Sequence, residues 1–176
     1  MLTIAAYDLH VEQLLDTVRR LVQAFTQAGI DYRVIGGVAV FLHVHERDPG
    51  AARSTRDVDI AVDRAQLRPI IEAVRPFGFA YRHAAGVDML VDAREPKARS
   101  AVYVEPVPDF SPPAPTDEGV LLAPVTDLVR MKLTSYRLKD RVHLQDLDAV
   151  GLITPAIEAQ LPEVLRARLH EVRAAE

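Results

Sequence analysis

Asp57 and Asp59 flank Val58 in the run DVDIAV, where Val58, Ile60 and Val62 alternate with Asp57, Asp59 and Ala61. In a strand, residues i and i+2 project from one face. The spacing therefore predicts a strand over Asp57–Val62 with two carboxylates side by side. Hard oxygen ligands so placed can share a divalent cation such as magnesium. A cation held there orients a triphosphate and neutralises charge during an in-line displacement. The spacing alone is a weak signal, because the chain has 15 aspartates and Asp146-x-Asp148 repeats it. Context strengthens it. About twenty residues upstream, Gly36-Gly37 closes a short apolar run and opens another. Glycines between a strand and a helix let backbone approach a phosphate closely, and the helix start offers unpaired N–H groups and a favourable dipole. Read alone, the pair is more often a tight turn packed against a sheet. It is not a Walker loop, since GGVAVFLH lacks the required lysine and hydroxyl.

The elements that must position these residues follow from periodicity. Val11, Leu14, Leu15, Val18, Leu21, Val22 and Phe25 recur at three- and four-residue steps, predicting a helix over 9–28 with Asp8 as cap and Gly29 as stop. A strand at Asp31–Ile35, a helix at Val38–His45, a loop to Arg56 and a helix over 65–75 come next, the last disturbed by Pro69. Strands are expected at Val87–Val91 and Ala101–Glu105. Five of the twelve prolines then fall between Pro106 and Pro115, which reads as an extended connector. Helices are expected from Pro124 to Leu138, from about Arg141 to Val150, and from the cap pair Thr154-Pro155. The order implies an α/β (α+β) fold, a small mixed sheet flanked by helices, with an α/β core over 1–118 and a helical C-terminal part over 119–176 packed on it.

VIGGVAVFLH followed by RSTRDVDIAV resembles the signature of the nucleotidyltransferase (DNA polymerase β-like) superfamily. The form Arg53-x-Thr55-x-Asp57-x-Asp59, with LVRMKLTSYRLKDRVHLQDL downstream, looks most like the bacterial nucleotidyltransferases related to AbiEii toxins of type IV toxin–antitoxin systems. The resemblance spans most of residues 31–150. It implies that Asp57 and Asp59 bind Mg2+ or Mn2+ and that Gly36 and Gly37 line the phosphates of a nucleoside triphosphate. Arg53 or Thr55 would hydrogen-bond a phosphate, Lys132 would pair with one, and Asp140 would support them near the acceptor. The implied activity is transfer of a nucleotidyl group to a hydroxyl on RNA, such as tRNA, or on protein, with an antitoxin as a further partner.

Catalytic members carry a third carboxylate that can serve as base. The candidates are Asp88 in GVDMLVD, with the better strand alternation, and Glu105, directly before Pro106. Without a third carboxylate the domain would bind nucleotide or a protein partner without efficient turnover. Asp140, His143 and Asp146, spaced three apart, read as a polar helix face, and His43 and His45 as solvent-exposed.

Bulk properties narrow the classes. The 176 residues suit one domain with a real core, and 49% apolar with 26% charged residues is ordinary globular composition. The absence of cysteine removes disulfides, thiolate catalysis and cysteine-bound zinc. A net charge of -4 gives no overall pull toward nucleic acid, although Arg130, Lys132, Arg137, Lys139 and Arg141 crowd positive charge into one stretch. No apolar run reaches the roughly 18 residues of a membrane span, and the N-terminus lacks a basic region before an apolar core, so a cytoplasmic protein without membrane attachment is expected.

Overall fold

Two apolar runs set the centre of the sheet. In β1 (Tyr32–Ile35) all four residues are buried, and in β2 (Val58–Val62) every residue but Asp59 is. Strands buried on both faces need helices above and below. The computed structural model describes residues 4–53, 55, 57–94, 101–106 and 111–175, without the side chains of 4–10, 101–103, 105–106 and 115. Among the described residues the helices are α1 (Ile4–Ala28), α2 (Gly36–Arg47), α3 (Leu67–Val74), α4 (Val125–Ser135), α5 (Leu138–Ala149), α6 (Pro155–Ala159) and α7 (Glu163–Ala174). The remaining strands are β3 (Phe79–Ala84), β4 (Val87–Asp92), β5 (Ala101–Pro106), β6 (Ala114–Pro115) and β7 (Leu121–Leu122).

The strands form one mixed sheet in the order β3-β4-β5-β2-β1-β7-β6. The centre combines an antiparallel β1–β2 pair with parallel β2–β5 and β1–β7 pairs. α2 leaves β1 directly and packs against β1, β2, α4 and α5, while α1 packs on α3 and α7 crosses α4 and α5. One apolar cluster runs from Leu14 through Val38 and Ile60 to Leu144 and Leu169. β7 lies beyond residue 118 yet pairs with β1, so the sheet takes part of its edge from the C-terminal part.

The expected helices and strands are present with shifted ends. α1 begins five residues early, which puts Asp8 inside the helix rather than at its cap, and that side chain lies outside the described residues. α3 tolerates Pro69 because it sits in the first turn, where backbone N–H groups have no partner inside the helix. β3 was not anticipated. Its middle residues Ala80–His83 are exposed, so it carries little apolar signal, and it exists through pairing with β4 across the Ala85–Gly86 turn. α4 stops at Ser135 rather than Leu138. Tyr136 takes left-handed geometry at φ 50 and its amide bonds to the Lys132 carbonyl. The last helix expected from Thr154-Pro155 is divided at Pro162 into α6 and α7, with Thr154 Oγ1 accepting from the Ile157 amide at 3.3 Å. Among the described residues no helix is long and apolar enough to cross a membrane.

Candidate functional site

The sheet register decides which carboxylates meet. Asp59 is opposite Ile35 on β1 and Tyr103 on β5, and cross-strand partners share a face. Asp57 is two residues earlier, just outside the strand, and lines the same cleft as Asp59. Both aspartates are partly exposed, and both line a cleft of about 760 Å³. The far wall belongs to α4 and α5, which contribute Arg130, Met131, Lys132, Lys139 and His143.

Gly36 and Gly37 complete the near wall. Gly36 has φ +70, and a Cβ there would overlap the Asp59 carboxylate, lying 2.8 Å from its Cγ. A Cβ on Gly37 would lie 2.7 Å from Thr55 Oγ1. Glycine is therefore required twice over, so that the start of α2 can reach the carboxylates and the Thr55 hydroxyl. That helix start has no side-chain cap, leaving amides for an anion at the cleft.

Lys132 reaches the cleft from a buried position. Its side chain is 7% exposed, and Nζ donates to Asp140 Oδ1 at 3.1 Å. Burial pulls the ammonium below the ordinary lysine value, opposed by Asp140 and Asp59. Asp140 is fully buried. Its Oδ2 accepts from Ser135 Oγ at 2.7 Å, Arg137 Nε at 2.8 Å and the Arg137 amide at 3.1 Å. Burial works against ionisation, but donation from Arg137, Ser135 and Lys132 outweighs it and holds the carboxyl far below the usual range. α7 braces this corner: Arg168 Nη1 donates to the carbonyls of Leu133 and Thr134 at 2.7 and 3.1 Å, satisfying the end of α4.

The cleft thus gathers Gly36, Gly37, Thr55, Asp57, Asp59 and Lys132, with Asp140 behind Lys132. It leaves two expected residues out. Arg53 is absent from the lining and bonds through Nε to Asp146 Oδ1 at 2.9 Å. Asp88 shares a row with Val104, Ile60 and Val34, which is the sheet face opposite Asp59, so the catalytic place expected for it is corrected. It accepts instead from Tyr81 Oη and His83 Nδ1, each at 2.7 Å. Glu105 has the register parity of Asp59 but pairs with Ala61, and its side chain lies outside the described residues.

Two histidine expectations change. His43 is buried and donates through Nε2 to the Ala123 carbonyl at 2.9 Å, tying α2 to the start of α4, whereas His45 is exposed as expected. His143, read as part of a solvated helix face, lines the cleft instead. Its Nδ1 is buried without a hydrogen-bond partner among the described residues. The signal was available: Asp140, Leu144 and Leu147 fall at helical spacing, so the polar stripe overlaps the apolar one.

Burial, reinforced by Lys132, holds the His143 imidazole down at about 4, against an ordinary 6.5. Between those values the unfolded chain takes up a proton that the folded one refuses, so stability falls as pH drops through the window. The expected loss is at most roughly 3 kcal/mol. Urea unfolding at pH 7 and pH 4.5 measures it, and His143→Gln should flatten the difference. Equal pH slopes in both proteins would refute this.

No protein-family model and no curated protein matches this sequence. Its likeness is structural. It matches an antigenic nucleotidyltransferase-like protein from Paracoccidioides brasiliensis with TM-score 0.61 and 18% identity, over 91% of this chain and 87% of the other. It matches ANT(2'')-Ia crystallised with adenylyl-2''-tobramycin with TM-score 0.57 and 13% identity, over 90% and 98%. The solution structure of the antibiotic-resistance factor ANT(2'')-Ia gives TM-score 0.51 and 11% identity, over 93% and 84%. At these identities the likeness concerns the fold, which is nucleotidyltransferase-like.

Proposed function

We propose that this protein binds a nucleoside triphosphate with Mg2+ or Mn2+ in the α2–α4–α5 cleft and transfers its nucleotidyl group to a hydroxyl. The observation that carries this reading is the contact between Gly36 and Asp59. It places an uncapped helix start, suited to phosphate, directly against paired carboxylates suited to a hard cation. Magnesium commonly takes one or two carboxylates and completes its shell with phosphate oxygens and waters, so Asp57 and Asp59 fit it without a third ligand. When bound there, the cation would neutralise phosphate charge and orient the triphosphate.

The chain's own residues would divide the remaining work. The amides opening α2 and the Thr55 hydroxyl would donate to phosphate oxygens. Lys132, held in place by Asp140, would add a point charge. The acceptor hydroxyl oxygen would form a bond to the α-phosphorus as pyrophosphate leaves, and its proton would pass to a base. Glu105, by its place on β5, is the candidate for that base. Arg130, Lys132, Arg137 and Lys139 make the far wall cationic, which favours an anionic acceptor such as an RNA end over a polycation like tobramycin. A protein side chain as acceptor, an AbiEii-like toxin role with an antitoxin partner, and a cytoplasmic setting belong to the same reading.

A second reading has its own support. Tyr103, not a carboxylate, is opposite Asp59, which suits a domain that binds nucleotide without efficient turnover. Incubation with each labelled triphosphate and Mg2+, scoring label on bulk tRNA and on protein, separates the two. Label transfer abolished by Asp57→Asn/Asp59→Asn supports the enzyme. Nucleotide-dependent thermal stabilisation without transfer supports the binding domain. Absence of both would sink the proposal. Mn2+ alone should raise the melting temperature by a few degrees in wild type by relieving carboxylate repulsion, and the double variant should lose most of that gain.

A further inference from the structure

The two aspartates of the pair are held very differently. Asp59 sits inside the ladder, with β1 on one side and β5 on the other. Asp57 precedes the first residue of β2 and has no ladder partner, so its position depends on the segment that leads into the strand. Among its described residues, that segment, from Asp48 onward, has no helix or strand of its own. It is fastened at Arg53, four residues before Asp57, whose Nε forms an ion pair with Asp146 Oδ1 at 2.9 Å. Thr55, between them, lies against the Gly37 backbone.

The anchor end is unlike a surface ion pair. The Asp146 side chain is 7% exposed while that of Arg53 is 67% exposed. Exposed pairs contribute little, but a buried carboxylate stripped of its partner is costly. Burial raises the Asp146 carboxyl above its ordinary value, opposed by Arg53. Asp146 also continues a series on α5. Asp140 holds Lys132, His143 packs beside Gly37, and Asp146 holds the loop into β2, so one helix face reaches three parts of the cleft.

We propose that Arg53 and Asp146 form a positioning pair that tethers the loop to α5 and so sets the Asp57 carboxylate beside Asp59 for cation binding. This rests on the reading that Asp57 and Asp59 hold a divalent cation. It assigns Arg53 a role through the loop rather than on a phosphate, and it assigns Asp146 a role in the cation site without touching the cation.

Mn2+ alone, titrated calorimetrically, is the probe, because a residue that only contacted phosphate would leave it unaffected. In Arg53→Gln, Mn2+ affinity should fall about tenfold in a variant that is still folded at the titration temperature, with a lowered melting temperature because the buried Asp146 carboxylate loses its partner. Arg53→Lys should recover part of the loss. Asp146→Asn should weaken Mn2+ similarly, and the double variant no further than either single change, as coupled residues do. If Asp146→Asn fails to fold, Arg53→Gln decides alone. Unchanged Mn2+ affinity in Arg53→Gln, even with weaker nucleotide binding, overturns the positioning role. Wild type that binds no Mn2+ overturns the cation reading itself, and the positioning role with it.

Discussion

Asp140→Ala should lose roughly 3–5 kcal/mol of folding stability, the range for removing one member of a buried charge pair. For a chain of this length that corresponds to a fall of roughly 6–20 °C in melting temperature. The cause is specific. Asp140 has no solvent exposure and accepts from Lys132, Ser135 and Arg137 at once. Truncation strands the Lys132 ammonium, itself 7% exposed, without its counter-ion. It also removes the acceptor that closes the start of α5, where the Arg137 amide donates to Asp140. Adding Lys132→Met should return part of the loss, since an apolar side chain needs no counter-ion there. Chemical denaturation of wild type, Asp140→Ala and the double variant measures all three. A loss below about 1 kcal/mol in Asp140→Ala, or a further loss on adding Lys132→Met, would contradict this account.

Gly36→Ala should damage both fold and site. At φ +70 an L side chain costs about 1–2 kcal/mol in backbone strain. The new Cβ would also occupy the space of the Asp59 carboxylate, so either α2 backs away from β2 or Asp59 turns out of place. The expected sum is about 2 kcal/mol or more of stability, with Mn2+ affinity reduced at least tenfold. Gly119→Ala is the matched control. Gly119 has φ +76 but nothing within 4 Å of the added carbon, so it should show the strain alone and leave Mn2+ binding intact. If the two variants lose the same stability and Gly36→Ala still binds Mn2+ normally, the contact between Gly36 and Asp59 has no bearing on the site.

What the sequence determined by itself was local. Alternation in DVDIAV predicts Asp57 and Asp59 on one face, because strand geometry inverts every residue. Within β2 it fixes Asp59, whereas Asp57, one residue before the strand, depends on the segment that leads into it. Gly36-Gly37 between an apolar strand and an apolar helix marks a close backbone approach for a similar reason, and Thr154-Pro155 marks a helix start. The tertiary structure alone decided everything that depends on pairing across the chain. Asp88 alternates as well as Asp59 does, yet the β4–β5–β2 register places it on the other face, and register between strands is set by partners far away in sequence. β3 exists because β4 offers it a ladder, not because its residues are apolar. Asp140, His143 and Asp146 look like a solvated helix face until α2, α4 and the loop into β2 close over them. Whether a polar stripe meets water or protein depends on what packs against the helix, which its own periodicity does not encode.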